Sequence, residues 1–250
     1  MAKKARKQIK QSQKFNNRGN VKPIFDYTDW DPMDEQIDSQ RDKSFLKRVK
    51  PRSEGQAELL DAIKEYNLTL ALGPAGTGKT YLAIASAVDA LEEGQVERII
   101  LSRPAMEAGE SLGYLPGDMH DKMAPYLRPL FDALGDRLGG KKVRQYMDDG
   151  TIEIAPVGFM RGRTLNNAFV VIDEAQNCTY QQIKMLLSRL GWNSTMVVTG
   201  DPDQSDLLDG LSGLGDIFKK FESIEGIATI KLSQSDIVRH PLVAKILDVL

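Results

Sequence analysis

The stretch that most constrains this chain is Gly73-Pro74-Ala75-Gly76-Thr77-Gly78-Lys79-Thr80. It follows the apolar run Leu68 to Leu72 and leads into Tyr81 to Val88, an apolar segment without Pro or Gly. That order predicts a buried strand, a glycine loop and a helix. The spacing Gly-x-x-x-x-Gly-Lys-Thr is that of a phosphate-binding loop. Its glycines let the backbone curl so that successive N–H groups face phosphate oxygens, and the following helix turns its positive end to the same place. In such a loop Gly73, Pro74, Ala75, Gly76, Thr77 and Gly78 form the cradle. Lys79 reaches the β- and γ-phosphates, and the Thr80 hydroxyl holds Mg²⁺.

A second stretch gives the first its chemistry. Ala168 to Ile172 is an apolar run that delivers Asp173 and Glu174. Buried unpaired acids cost several kcal/mol, on the order of the penalty for any isolated buried charge, so a metal and a phosphate loop nearby supply the reason for them. Asp173 is read as a Mg²⁺ ligand, and Glu174 as the group that orients or deprotonates an attacking water.

Further strands are expected at Glu97 to Arg103, Thr151 to Ala155, Thr195 to Asp201, which ends in a polar exit, and Ile227 to Leu232, with helices between them. This alternation predicts an α/β fold with a doubly wound, mainly parallel sheet, whose ligands sit at the carboxyl ends of the strands. Ser102, Arg103, Glu107 and Glu110 then lie near the working edge, as do Gln176 and Gln204. Arg103 can equally be an arginine in a loop held by an ordinary salt bridge. A helical pattern from Met119 to Leu134 contains Pro125 and Pro129, which are expected to kink or divide it. Arg161 and Arg163 occupy a glycine-containing loop.

Ser53-Glu54-Gly55-Gln56 opens an amphipathic helix in the manner of a capping box, with Gln56 as reciprocal partner of Ser53. Gln56 has an equal rival reading, since an amide there can pair with the N6 and N7 edge of adenine.

Charge separates the first part of the chain from the rest. The net charge of −2 hides seven basic and no acidic residues among the first twenty, which leaves 26 basic against 35 acidic residues, or −9, in the remainder. An acidic block with Tyr27 and Trp30 follows, from Asp26 to Asp42. Residues 1–48 therefore read as a charged, largely disordered N-terminal extension, either a solvated arm or a clamp for nucleic acid, and residues 49–250 as the folded domain. Affinity for nucleic acid must come from the arm or from a local groove, because the body repels phosphate. The single Cys178 and the isolated His120 and His240 exclude a disulfide and suggest no zinc site. No apolar stretch approaches the ~20 residues that span a bilayer, and the basic start lacks the apolar core of a signal peptide, so the expected location is the cytoplasm.

Several stretches together resemble the PhoH family: the glycine loop at 73 to 80; Ser-Arg-Pro-Ala-Met-Glu-Ala-Gly-Glu-Ser-Leu-Gly-Tyr-Leu-Pro-Gly-Asp at 102 to 118; Arg-Gly-Arg-Thr-Leu at 161 to 165; Asp-Glu-Ala-Gln-Asn at 173 to 177; and Asp-Ile-Val-Arg-His-Pro-Leu-Val at 236 to 243. The resemblance covers residues 51 to 250. It implies the first RecA-like domain of superfamily-one helicases and an ATPase with suspected RNA-helicase activity. By resemblance, Gln56 is the adenine contact, Ser102 and Arg103 lie near single-stranded nucleic acid, and Gln204 couples to the γ-phosphate. Arg239 falls where a helicase begins a second domain and offers an arginine to the γ-phosphate.

The sequence stops soon after Arg239, and no second RecA-like domain is expected. An arginine finger then has to come from a neighbouring subunit, in a homo-oligomeric ring, a hexamer, with Arg239 facing the adjacent nucleotide and Arg161 or Arg163 as further candidates. The expected activity is Mg²⁺-dependent ATP hydrolysis coupled to binding or remodelling single-stranded nucleic acid, RNA before DNA. The rivals are an ATP-dependent switch acting on a partner protein and a small-molecule phosphotransferase.

Overall fold

A computed structural model describes residues 49–104, 119–208 and 210–238, with only the backbone of 119–125. The N-terminal extension, Glu107, Glu110, the helix expected from Pro241, and Arg239 and His240 lie outside the described residues, as does the side chain of His120.

The elements run α1 (Glu54–Glu65), β1 (Leu68–Leu72), α2 (Lys79–Glu92), β2 (Arg98–Arg103), α3 (Met119–Leu138), α4 (Gly140–Asp148), β3 (Ile152–Pro156), β4 (Ala168–Ile172), α5 (Tyr180–Leu187), β5 (Thr195–Gly200), α6 (Leu214–Phe221) and β6 (Ile227–Lys231). Six strands form one sheet in the order β3-β2-β4-β5-β1-β6, and every pairing is parallel. Parallel sheets must be covered on both faces, and β1 and β4 are accordingly buried at every position.

Alternation along the strands sorts the two faces. Leu68, Leu70 and Leu72 of β1, Val170 and Ile172 of β4, and Met196 and Val198 of β5 share a core with Ile183 and Leu186 of α5 and Leu214, Ile217 and Phe218 of α6. The other face is covered by α2, which lies over β2, β4 and β5 and packs on α3. Helix α2 can lie close because Ala83, Ala85 and Ala87 on it are fully buried. This is the α/β architecture with a parallel, doubly wound sheet expected of the sequence.

Strand order is what assembles the site. The chain leaves β1, skips the two places that β4 and β5 later fill to form β2 and then β3 at the edge, and returns through β4 and β5 to lie beside β1 again. Four neighbouring strands, β2, β4, β5 and β1, therefore end side by side at one edge. Asp173 N–H donates to the Ser102 carbonyl at 2.8 Å, and Gly73 N–H to the Gly200 carbonyl at 3.2 Å, which extends the pairing past the strand ends.

Two expectations are corrected. Helix α3 is one undivided helix across Pro125 and Pro129. Burial of Leu127, Leu130, Phe131 and Leu134 along it outweighs the roughly 3 kcal/mol that an interior proline costs. At α1, Ser53 caps as expected, accepting from Gln56 N–H at 3.2 Å, but the Gln56 side chain does not return to Ser53. It donates instead to the Thr77 carbonyl at 2.9 Å and accepts from Arg52 N–H at 2.9 Å. A buried carbonyl turned inside the glycine loop needs a donor more than a half-buried cap does. The carboxylate of Asp236 takes the place at the start of α1, within hydrogen-bond reach of Ser53 and the Gly55 N–H. The Ser233 N–H above all, with these two, holds Asp236 below the usual carboxylate range.

Candidate nucleotide site

The glycine loop connects β1 to α2, so its geometry is set by a fully buried strand on one side and a helix N-terminus on the other. Gly73 has φ +149° and Gly78 φ +84°. A side chain at Gly73 would meet the Leu232 carbonyl oxygen at 2.6 Å, and one at Gly78 would meet Gln56 Nε2 at 3.2 Å. The first therefore needs glycine for space as well as for conformation. Gln56 is 4 % exposed and holds the loop from behind through Thr77. Both ends of its amide are thus engaged within the chain. Thr77 ties the loop again by donating to the Pro74 carbonyl at 2.9 Å.

Lys79 is folded back onto this loop. Its ammonium donates to the carbonyls of Gly73 and Pro74, the latter at 2.8 Å. Burial lowers its pKa from the ordinary lysine value, and the charges of Asp201, Glu174 and Asp173 oppose that shift. The cation is thus kept in a partly desolvated place by carboxylates, and phosphate oxygens would replace the carbonyls as its partners.

Asp173 stands at the end of β4, 3 % exposed. One of its oxygens accepts from Thr80 Oγ1 at 2.6 Å and from Thr199 Oγ1 at 2.7 Å. Among the described residues no group of three or more His, Cys, Asp or Glu is placed to hold a metal. A magnesium ion does not need one here: a hydroxyl and a carboxylate in contact form a hard-oxygen pair of the kind that ion takes together with water and substrate phosphates. Thr80 and Asp173 fit Mg²⁺ on that ground.

Glu174 follows in left-handed backbone, φ 53° and ψ 40°, a conformation that costs a non-glycine residue about 1–2 kcal/mol. The turn brings its carboxylate back over the loop. One oxygen accepts from Gln176 Nε2, and the other lies 3.4 Å from Arg103 Nη2. Gln176, 3 % exposed, also accepts from Asp201 N–H at 3.0 Å. Gln176 therefore joins the ends of β4 and β5 and fixes Glu174, instead of standing open to a phosphate.

These groups surround one cavity of about 460 Å³, lined by the loop, Thr80, Tyr81, Arg103, Asp173, Glu174, Asp201 and Gln204, and by Asp132 and Asp136 of α3. The structure thus brings together Ala75, Gly76, Gly78, Lys79, Thr80, Asp173, Glu174 and Gln204 as expected neighbours. It also places Arg103 in the same cavity. Ser102 is fully buried, with a hydroxyl that has no partner among the described residues. Arg161 is exposed and does not line the cavity. Arg163 is gripped by both carboxylate oxygens of Glu153, at 2.6 and 2.7 Å, and this bond raises its pKa.

Asp132, Asp136, Asp201 and Thr199 belong to the site without having been expected there. Asp201 was visible only as a polar exit from β5. Asp132 and Asp136 stand four apart on the face of α3 opposite its apolar stripe, a spacing that looks like an ordinary solvated face until α3 is placed over the loop. Cys178 is buried and its thiol is pushed up to about 12 by burial, the state of a packing residue.

Known proteins share the sequence of this site. Among curated proteins the chain is 54 % identical over 203 residues to the PhoH-like protein of Bacillus subtilis (strain 168), covering 81 % of this chain and 64 % of that one. It is 44 % identical over 211 residues to protein PhoH of Escherichia coli (strain K12), covering 83 % and 60 %. The chain thus spans about three-fifths of the length of these relatives. Among solved structures it is similar to the large terminase from a thermophilic bacteriophage, with TM-score 0.48, 10 % identity and coverage of 80 % of this chain and 50 % of that one. It is also similar to Pif1 helicase from Candida albicans, with TM-score 0.42, 16 % identity and coverage of 80 % and 43 %. The family model described as PhoH-like protein matches residues 48–250, which takes in every site residue above, and the chain belongs to that family.

Proposed function

We propose that residues 49–250 form a Mg²⁺-dependent ATPase that binds or remodels single-stranded nucleic acid, RNA before DNA, with residues 1–48 as the charged arm that recruits it in the cytoplasm. The observation that carries the hydrolytic part is the convergence of Lys79, the Thr80–Asp173 pair and a braced Glu174 on one cavity. In this reading the loop N–H groups and Lys79 bind the β- and γ-phosphates. Thr80 and Asp173 hold Mg²⁺, which when bound neutralises phosphate charge. Glu174 accepts the proton of the attacking water, and Gln176 keeps its carboxylate aimed. Gln204, exposed at the rim of the same cavity, is placed to report the γ-phosphate to whatever docks there. Adenine contact by Gln56 requires its amide to leave Thr77 and Arg52.

A homo-oligomeric ring, a hexamer, belongs to this proposal as the assembly that grips a strand. Sedimentation of the full chain with nucleotide tests it, and a monomer with full activity rules it out. A second reading, an ATP-dependent switch acting on a partner protein, draws on Asp132 and Asp136. These carboxylates at the cavity mouth repel a nucleic-acid backbone. A small-molecule phosphotransferase is disfavoured by Glu174, which would activate water in competition with the acceptor. The deciding experiment is steady-state ATP turnover with single-stranded RNA, single-stranded DNA or neither, for the full chain and for a chain lacking residues 1–48. Stimulation by RNA that needs the arm supports the nucleic-acid reading. Turnover indifferent to every polynucleotide transfers the proposal to the switch.

A further inference from the structure

Two arginines, Arg103 at the carboxyl end of β2 and Arg163 in the loop between β3 and β4, show two different kinds of binding. Arg163 meets Glu153 fork to fork at 2.6 and 2.7 Å, which is how an arginine sits when its work is to hold two pieces of backbone together. Arg103 is held differently. Nη1 donates to the Tyr126 carbonyl of α3 at 3.0 Å and Nη2 to Glu174 Oε1 at 3.4 Å, one bond from each end of the fork to a different partner. Its approaches to Asp173 at 3.8 Å and Glu174 at 3.4 Å are long. The guanidinium is therefore tied to α3 and lies against the two carboxylates in the lining of the cavity that Lys79 also lines.

Its position is fixed by backbone, not by chance rotamers. β2 pairs with β4, with Ser102 opposite Ile172, and Asp173 N–H continues the pairing to the Ser102 carbonyl. The residue after Ser102 must then lie beside the Asp173-Glu174 pair. A cation in this place, with a planar fork of donors held only by single and partly long bonds and only 19 % of its side chain exposed, suits the equatorial oxygens of a phosphoryl group better than it suits the outer surface.

We infer that Arg103 is the arginine of the transfer step, donating to a non-bridging oxygen of the γ-phosphoryl group within the same chain. This rests on the ATPase reading above. In the step, water oxygen bonds to the γ-phosphorus and its proton goes to Glu174. The bond from that phosphorus to the bridging oxygen breaks, its electron pair remaining on ADP. The proton then leaves Glu174 with the released phosphate. Arg103 exchanges no bond; it carries part of the charge that gathers on the γ-oxygens. Without nucleotide the same guanidinium lies 3.4 Å from the Glu174 carboxylate, and the γ-phosphate competes with that carboxylate for it.

The test uses the full chain with Arg103→Ala and Arg103→Gln, the latter retaining an amide donor toward Tyr126 should the former fold poorly. Turnover is expected to fall about 10³-fold. Affinity for a non-hydrolysable ATP analogue should fall at least about tenfold more than affinity for ADP, because one extra phosphate carries the contact. Mixing Arg103→Ala with Lys79→Ala chains should restore nothing, since each copy needs its own arginine. Equal loss of both nucleotides assigns Arg103 to the shape of the pocket and overturns the inference. So does restored turnover on mixing, or near wild-type turnover in Arg103→Ala with loss in Arg239→Ala, either of which places the arginine in a neighbour. A wild-type chain that binds but never hydrolyses ATP removes the ATPase reading separately, while selective loss of the analogue in Arg103→Ala still assigns the γ-phosphate contact.

Discussion

The two ends of the sheet each hold a hollow of nearly the same size, about 460 Å³ at the carboxyl ends and about 450 Å³ at the amino ends. Only one of them is built for an anion. The amino-end hollow is lined by Asn67, Gln95, Glu97, Asn167 and Asn193, and its amides are turned onto the chain itself. Asn67 donates to the Ser194 carbonyl at 3.1 Å and Asn193 to Asn167 at 3.2 Å. Asn167 and Asn193 have positive φ, which asparagine tolerates better than most residues, so they serve turns. At the carboxyl end the polar groups are charges: Lys79 and Arg103 against five carboxylates, beneath the N-terminus of α2. Equal volume with unequal chemistry shows that a hollow becomes a site through what burial forces its lining to do. Amides can satisfy one another, whereas buried charges keep a demand for a charged ligand.

The largest effects should separate these ends. Glu174→Gln keeps the shape and the Gln176 contact but removes the proton acceptor, so turnover should fall about 10² to 10⁴-fold while a fluorescent ATP analogue still binds. Asn193→Ala at the other end should leave turnover within roughly twofold, as for an ordinary turn residue away from a site. Comparable losses of turnover in both would break the comparison.

Glycines sharpen it next. Gly73→Ala places a Cβ 2.6 Å from the Leu232 carbonyl oxygen at φ +149°, whereas Gly94→Ala, at φ +70° beside the amino-end hollow, meets nothing within 4 Å. The first combines backbone strain with overpacking and should cost about 2–5 kcal/mol. The second carries strain alone, about 1–2 kcal/mol. Urea unfolding of the two variants measures the gap, and equal midpoints would mean that the loop yields where the structure shows contact.

How much of this was legible in the sequence depends on whether a residue's role is local. The six strands could be read from apolar runs, and the glycine loop and Asp173-Glu174 from spacing, because each is set by its own neighbours. The sheet order was not, and it is the order that brings β2 beside β4 and so carries Arg103 to the cavity. Gln56 shows the same limit. A capping box can be read from four residues, yet its side chain goes to Thr77, 21 residues away, to satisfy a carbonyl that exists only once the loop has curled. A capping box does form at Thr179 and Gln182, where no distant group competes for the glutamine. Pro125 and Pro129 show the limit too: local propensity argued for a kink or a division, and α3 runs on undivided, buried along Leu127, Leu130, Phe131 and Leu134.

The smallest effect is one of pH, and it belongs to the carboxyl end alone because only there does a lysine line the hollow. Burial lowers the Lys79 pKa, against the pull of Asp201, Glu174 and Asp173. Phosphate binds the ammonium better than the amine. Affinity for ATP should therefore be flat below the lowered pKa of the free protein and decline as pH rises through it, starting below 10.5, the ordinary lysine value. The limiting slope is about tenfold per pH unit, that of a single proton. Nucleotide adds negative charge beside the lysine and raises its pKa, so binding takes up a fraction of a proton in that window, which calorimetry in buffers of different ionisation heat detects. Asp201→Asn removes the largest of the opposing charges and should move the decline to lower pH. Movement to higher pH, or an unchanged profile, would mean that the folded-back Lys79 is not the group that meets the phosphates. In that case the anion is held by the loop N–H groups and Arg103.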